Sequence, residues 1–336
     1  MAMALDETKD DPAPEVHGGI LTRRRVLLGL GSVVGAGVLA TGGIAGYDRY
    51  RRFGRRSDAS IADHRIALPA GTPEMVIARG LDPARSVRAA VARLGGMSLF
   101  VSPADTVLVK PNIGWDRSAE QGANTHPEVV AEVVRLCREA RAKRVIVCDC
   151  PVSKARSAFE RSGILVAAQA AGAEVILPED SRHRTVLVSQ RLGSWDVLDP
   201  FVVASKIINV PVAKHHPLTG VTCGLKNWFG ITTKGRLLLH QNVQRAIAEL
   251  AALMRPTLTI VDATRVLMEN GPAGGNLADV KPTRTIAAGI DPVALDAWAT
   301  QLFPGQKPPL SLGFAAEMGL GRVDYKALSP TEIIVG

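Results

Sequence analysis

From residue 73 onward, short β-branched runs alternate with amphipathic helical stretches, which predicts an α/β fold. The form expected is a mostly parallel sheet layered with helices, arranged as two α/β lobes sharing a cleft. Length supports this, since 336 residues suit two units of about 100–150 residues each. Composition supports it as well: 46% apolar and 21% charged residues can fold around a core, and only 4% aromatics means a core of Val, Leu, Ile and Ala. These figures exclude a disordered chain, a collagen-like chain and a disulfide-dense miniprotein.

The predicted strands are 75–78, 106–110, 144–148, 174–177, 185–188, 206–210, 257–261 and 283–287, each a short apolar or β-branched run. The predicted helices are 83–94, 127–140, 155–171, 243–254 and 292–302. Pro127 and Pro292 stand where a helix begins, and Asp291 is a natural N-cap. Val130, Val133, Val134 and Cys137 recur at helical spacing and define one buried face. The organisation expected is a segment 1–46, a linker 47–72, and an α/β domain 73–330 with lobes 73–200 and 201–330.

The first segment reads as an address. Thr22-Arg23-Arg24-Arg25 precedes Val26 to Gly46, which carries no charge and is rich in Gly and Ala. A cationic region followed by a weakly apolar one is an export signal, and the paired arginines give it the twin-arginine form. The expected location is periplasmic or otherwise extracytoplasmic, and the twin-arginine translocation machinery is the implied partner. An uncleaved anchor is the alternative, since 21 uncharged residues are long enough to cross a bilayer. Arg49, Arg51, Arg52, Arg55 and Arg56 just beyond it count against that topology. Membrane contact is expected only if the segment is retained.

The net charge of +8 suits a small anionic ligand or simply a solvated basic surface. Nucleic acid is not expected, because the bases are scattered and stacking aromatics are scarce. Several apolar runs end abruptly in polar side chains: Lys110 and Asn112, Asp149 and Cys150, Lys214 to His216, and Asp262 with Thr264. Ligands of open α/β sheets bind at the carboxyl ends of strands, so these ends predict a site. The densest stretch, 209–234, offers Lys214, His215, His216, Thr219, Thr222, Cys223, Lys226 and Asn227 among glycines. Lysines, hydroxyls and exposed backbone N–H groups together cradle an anion.

The candidate catalytic residues are Lys214, His215, Lys226, Asn227 and Asp262. Those for substrate binding are Lys110, Asn112, Thr219, Thr222 and Glu269, the last in a Gly-rich loop. Cys150, Cys223 and His216 are candidate ligands for a transition metal or an iron–sulfur cluster, although the four cysteines lack zinc-ribbon or ferredoxin spacing. No G-x-S-x-G, P-loop, H-E-x-x-H or dinucleotide fingerprint is present, which disfavours those enzyme classes.

VLVKPNIG at 107–114, THPEVV at 125–130, the run 208–230, IVDATRVLMENGPAGG at 260–275 and GIDPVALDAWAT at 289–300 together resemble the domain of unknown function 362 family. The resemblance covers about residues 73–305. It implies that Lys226–Asn227, Lys110, Lys214, Asp262, Asp291 and Asp296 belong to the family's motifs. Some members carry a ferredoxin-type module, whose clustered cysteines this chain lacks. Two functions follow as expectations. One is an enzyme acting on a small anionic substrate, metal-assisted or not. The other is a non-catalytic metal or iron–sulfur protein that assists electron transfer.

Overall fold

The computed structural model describes residues 56–336 other than Lys234. The predicted export segment 1–46, and the linker up to residue 55, lie outside the described residues.

In chain order the elements are β1 (Met75–Gly80), α1 (Pro83–Arg93), β2 (Thr106–Pro111), α2 (Pro127–Glu139), β3 (Arg144–Cys148), α3 (Ala155–Arg161), α4 (Ile164–Ala170) and β4 (Glu174–Ile176). There follow β5 (His183–Ser189), β6 (Gly193–Leu198), α5 (Asp199–Val203), β7 (Lys206–Val210), β8 (Val212–His216), β9 (Gly220–Thr222), α6 (Arg236–Leu239) and α7 (Val243–Met254). The last are β10 (Leu258–Leu267), β11 (Val280–Gly289), α8 (Pro292–Thr300), α9 (Leu310–Glu317) and β12 (Thr331–Val335).

Ten strands form one sheet in the order β12-β1-β11-β10-β7-β2-β3-β4, with β8 beside β10 and β9 beside β8. The stretch β10-β7-β2-β3-β4 is parallel throughout, whereas β11 runs antiparallel to both of its neighbours. The α/β class and the mostly parallel sheet are therefore as read from the sequence. The strands of the two expected lobes, however, interleave: β7 and β10 continue the sheet from β2, and β1 pairs with β11 and β12. The sheet does not break at residue 200, because β2 finds its parallel partner across that boundary.

Successive side chains on a strand face opposite ways, and β2 serves both layers. Val107 and Val109 join a core containing Val87, Val91, Val130, Val133 and Val134 from α1 and α2. Leu108 joins the opposite core with Trp195, Trp228, Ile247 and Leu312, under the β5–β6 hairpin, α7 and α9. The predicted face of α2 is wholly buried, and Pro127 and Pro292 open their helices. Asp291 caps α8 by accepting from the Ala294 N–H at 2.8 Å.

The expected helix 155–171 is two helices, because Gly163 takes a left-handed conformation (φ +77°) and stops the first. Strand β10 runs six residues beyond the predicted end, and β6, β8, β9, β12, α5, α6 and α9 were not predicted. Among the described residues no helix is long and apolar enough to cross a membrane.

Candidate active site

Lys110, near the end of β2, has the parity of Leu108 and therefore faces the α7 side of the sheet. Its register partner on β7 is Asn209. The ammonium is fully buried and donates to Asp149 Oδ1 at 2.6 Å, Asn227 Oδ1 at 2.9 Å and the Pro111 carbonyl at 2.9 Å. Burial pushes the Lys110 pKa down, against the pull of Asp149. Asp149, the first residue past β3, also accepts from the Ile113 N–H at 2.6 Å and the Cys150 N–H at 2.8 Å. Gly230 closes over this pair. A Cβ there would collide with Asp149 Oδ1 and lie 2.9 Å from Lys110 Nζ, so only glycine fits.

Asn227 ties the strand ends together. Its Oδ1 accepts from Lys110 and from Asn112 Nδ2 at 2.9 Å, and its Nδ2 donates to Asn209 Oδ1 at 2.8 Å. Asn112 Oδ1 in turn accepts from Lys214 Nζ at 2.9 Å, and Lys214 also donates to the Ala123 carbonyl. The 3₁₀ turn Lys226–Ile231 carries Asn227 into place because Trp228 and Ile231 are buried in the core beneath it. Full burial of a side chain of this kind stabilises by about 1.5–3 kcal/mol. Asp296 holds the entry to that turn by accepting from the N–H groups of Gly224 at 2.7 Å and Leu225 at 3.0 Å.

Above this network lies a cleft of about 440 Å³. Lys110, Lys214, Lys226, Arg236, His216 and His240 line it, and Asp149 is its one carboxylate lining residue among the described residues. Lys214 has no carboxylate partner among the described residues, and burial with Lys226 nearby lowers its pKa to about 7. Burial likewise lowers Lys226 to about 8. The Lys226 ammonium lies 5.0 Å from the centre of the Phe229 ring and makes no hydrogen bond or ion pair among the described residues. The Thr222 hydroxyl, also lining the cleft, is buried without a hydrogen-bond partner among the described residues.

The two lining histidines hold different tautomers. His216 Nδ1 accepts from the Leu218 N–H at 3.1 Å, so its neutral ring carries the proton on Nε2. Burial, with Lys226 and Lys214 nearby, keeps it neutral by lowering its pKa to about 3. His240 Nδ1 lies 2.9 Å from the Arg236 carbonyl, which can only accept. Neutral His240 therefore has its lone pair on Nε2. Arg236 donates to the carbonyls of Cys150 at 2.8 Å and Pro151 at 2.6 Å.

Of the residues singled out from sequence, the cleft brings together Lys110, Asn112, Lys214, Lys226, Asn227, Thr222, Cys150 and His216. It does not take in five others. His215 alternates with Lys214 and His216 along β8 and is absent from the lining. Thr219 donates to the Val221 carbonyl at 3.1 Å and shapes the β8–β9 turn. Asp262 is consumed structurally, accepting from the N–H groups of His126 at 2.7 Å and Thr264 at 2.9 Å and from the Thr264 hydroxyl at 2.6 Å. Glu269 is exposed and borders a separate surface hollow with Asp279 and Lys281. Cys223 lies in a small cavity with Asp296, outside the cleft.

The proposed metal set is thereby dispersed. Burial raises the Cys150 thiol to about 11 and that of Cys223 well above its usual value, whereas metal binding needs thiolates. Among the described residues no three His, Cys, Asp or Glu side chains are grouped to hold an ion. These residues do not fit a metal or an iron–sulfur cluster. Sequence reasoning placed Asp149 among the strand ends that predict the site but gave it no role, and it did not select Arg236 or His240. Asp149 had a usable signal as a strand-end acid, while Arg236 and His240 lie on or beside a four-residue helix with none.

Fold and site together define an α/β protein with a lysine-floored cleft at the carboxyl ends of parallel strands. The chain belongs to the family described as Domain of unknown function (DUF362), whose model matches residues 107–301. It is 30% identical over 267 residues to a thylakoid-associated protein of Synechocystis, covering 74% of this chain and 80% of that protein. Among solved structures it resembles the lactate racemase apoprotein of Thermoanaerobacterium thermosaccharolyticum, with a TM-score of 0.41 and 9% identity. That likeness, over 70% of this chain and 58% of the other, is one of architecture alone.

Proposed function

We propose that the cleft is the active site of an enzyme acting on a small anionic substrate. The observation that carries this is Lys226, a half-buried amine in the cleft wall that makes no hydrogen bond or ion pair among the described residues. A cation partly withdrawn from water without a partner is costly, so a ligand anion is its natural counter-charge. Lys214, the Nε2–H of His216 and the Thr222 hydroxyl add donors on the same wall. Lysines with pKa values near 7 and 8 also exchange protons near neutral pH, and His240 Nε2 offers a second base. The dispersed thiols favour this reading over the electron-transfer one.

The test is calorimetric titration with inorganic phosphate and with acetate at pH 6.5. Lys226→Met should weaken both about 10- to 100-fold, as removal of a charged hydrogen bond does. Equal binding by the variant would remove Lys226 from the reading.

The same proposal places the protein outside the cytoplasm, carried there by the twin-arginine machinery. Arg23–Arg24 before the uncharged stretch 26–46 supports this, and so does the thylakoid association of the Synechocystis relative. Replacing both arginines by lysine should leave the protein in the cytoplasm on fractionation. Unchanged export would refute the signal.

A further inference from the structure

We propose that the occupant of this cleft is an amphiphilic anion: a single-chain molecule free in solution, with one carboxylate or phosphate end and an apolar aliphatic or aromatic body. This rests on the reading of the cleft as an anion site, and it adds the substrate class. The floor is cationic and built. Lys214 is anchored by Asn112, and Lys226 lies over the Phe229 ring with no hydrogen bond or ion pair among the described residues. Asp149, the one lining carboxylate among the described residues, is engaged by Lys110 and two backbone N–H groups, so none of these residues receives a cationic second end.

The mouth is different. Val152 (62% exposed), Leu218 (62%) and Leu237 (85%) all border it. They come from three separate segments: the turn after β3, the β8–β9 hairpin and α6. Exposed apolar side chains scattered singly are ordinary, but three from separate segments meeting at one cleft form a patch. Trp115, Phe229 and Pro272 continue the apolar lining between mouth and floor. Charge complementarity sets the orientation, anionic end down on the lysines and body outward over the patch. The 440 Å³ volume lies within the roughly 300–1,000 Å³ of small-molecule sites, and a bare phosphate or acetate leaves most of it unfilled.

The experiment is calorimetry on the full chain at pH 6.5 with acetate, butyrate, hexanoate and octanoate, all below their aggregation concentrations, and with the matching n-alkyl phosphates. Affinity should rise about fourfold per added methylene, the fold-change given by about 0.8 kcal/mol per buried CH₂. Octanoate should therefore bind at least about 100-fold tighter than acetate. The double variant Leu218→Ser, Leu237→Ser changes only exposed positions, and it should cut the octanoate-to-acetate ratio about tenfold. Leu277→Ser, exposed but not lining the cleft, should leave the ratio as it is.

A ratio near one in the parent protein overturns the proposal, and so does a ratio the double variant does not move. If acetate or phosphate still binds and is lost in Lys226→Met, the anion reading survives alone. If no probe binds, both fall. Binding to phosphatidylglycerol vesicles without octanoate binding also overturns the proposal and assigns the patch to a bilayer.

Discussion

Removing the charge of Asp149 while keeping its shape tests whether the floor of the cleft is one buried electrostatic unit. In Asp149→Asn, Lys110 remains fully buried with two neutral acceptors, Asn227 Oδ1 and the Pro111 carbonyl. Both carboxylate oxygens now accept, Oδ1 from Lys110 and Cys150 and Oδ2 from Ile113. The amide NH₂ of Asn must therefore face a donor whichever way it turns. Breaking one side of a buried pair costs about 3–5 kcal/mol, because the other charge stays uncompensated. At about 2 °C per kcal/mol for a domain of this size, Tm should fall by roughly 6–10 °C. The companion variant Lys110→Met, Asp149→Leu removes both charges. It should lose only what the orphaned Ile113 N–H costs, about 1–3 kcal/mol, since the Cys150 N–H also reaches the Gly230 carbonyl at 3.0 Å. Urea denaturation followed by circular dichroism measures both. A double variant no more stable than the single one, or a single variant costing under about 1 kcal/mol, would refute the buried-pair account.

Three further outcomes are expected. Lys214 and Lys226 bind their protons more weakly in the folded chain, at about 7 and about 8, than the usual 10.5. Between about pH 7 and 10.5 the unfolded state thus holds more protons, and stability contributed by these sites rises with pH. Anion affinity must do the opposite, falling up to tenfold per pH unit for each amine as pH rises above about 7 and about 8, because only the charged amine binds; affinity flat from pH 6 to 9 would contradict it. Burial raises the pKa of all four thiols, that of Cys150 least, to about 11. Iodoacetamide at pH 7.5 should label the native protein slowly and Cys150 first, and all four thiols quickly in denaturant; rapid native labelling of Cys223 would show its pocket to be open.

Much of the architecture was legible because it is local. Alternation of β-branched runs and amphipathic stretches marked the parallel strands, and the spacing of Val130, Val133, Val134 and Cys137 marked a buried helix face. Strand ends with sudden polarity marked Lys110, Asn112, Asp149 and Lys214 as neighbours-to-be, since residues at the carboxyl edge of parallel strands must converge. The short elements were missed because three to six residues carry too little periodicity: β9 is Gly220–Thr222 and α6 is Arg236–Leu239.

Which polar residues face the cleft was decided only by tertiary structure. His215 and Lys214 are sequence neighbours with equal chemical promise, and strand pleat alone separates them. The sequence reads Asp262 and Asp149 alike as strand-end acids, and both are buried, although Asp262 lies within the longer β10. One is spent on the backbone and hydroxyl of Thr264 and the N–H of His126, whereas the other meets a lysine from the next strand. Cys150 and Cys223 end in different cavities. The sequence by itself determined the α/β class and the family, because both rest on residue types in order along the chain. Only the fold decided that Lys226 stands half-buried in the cleft wall without an ion pair among the described residues, because charge balance is a property of what surrounds a side chain in space.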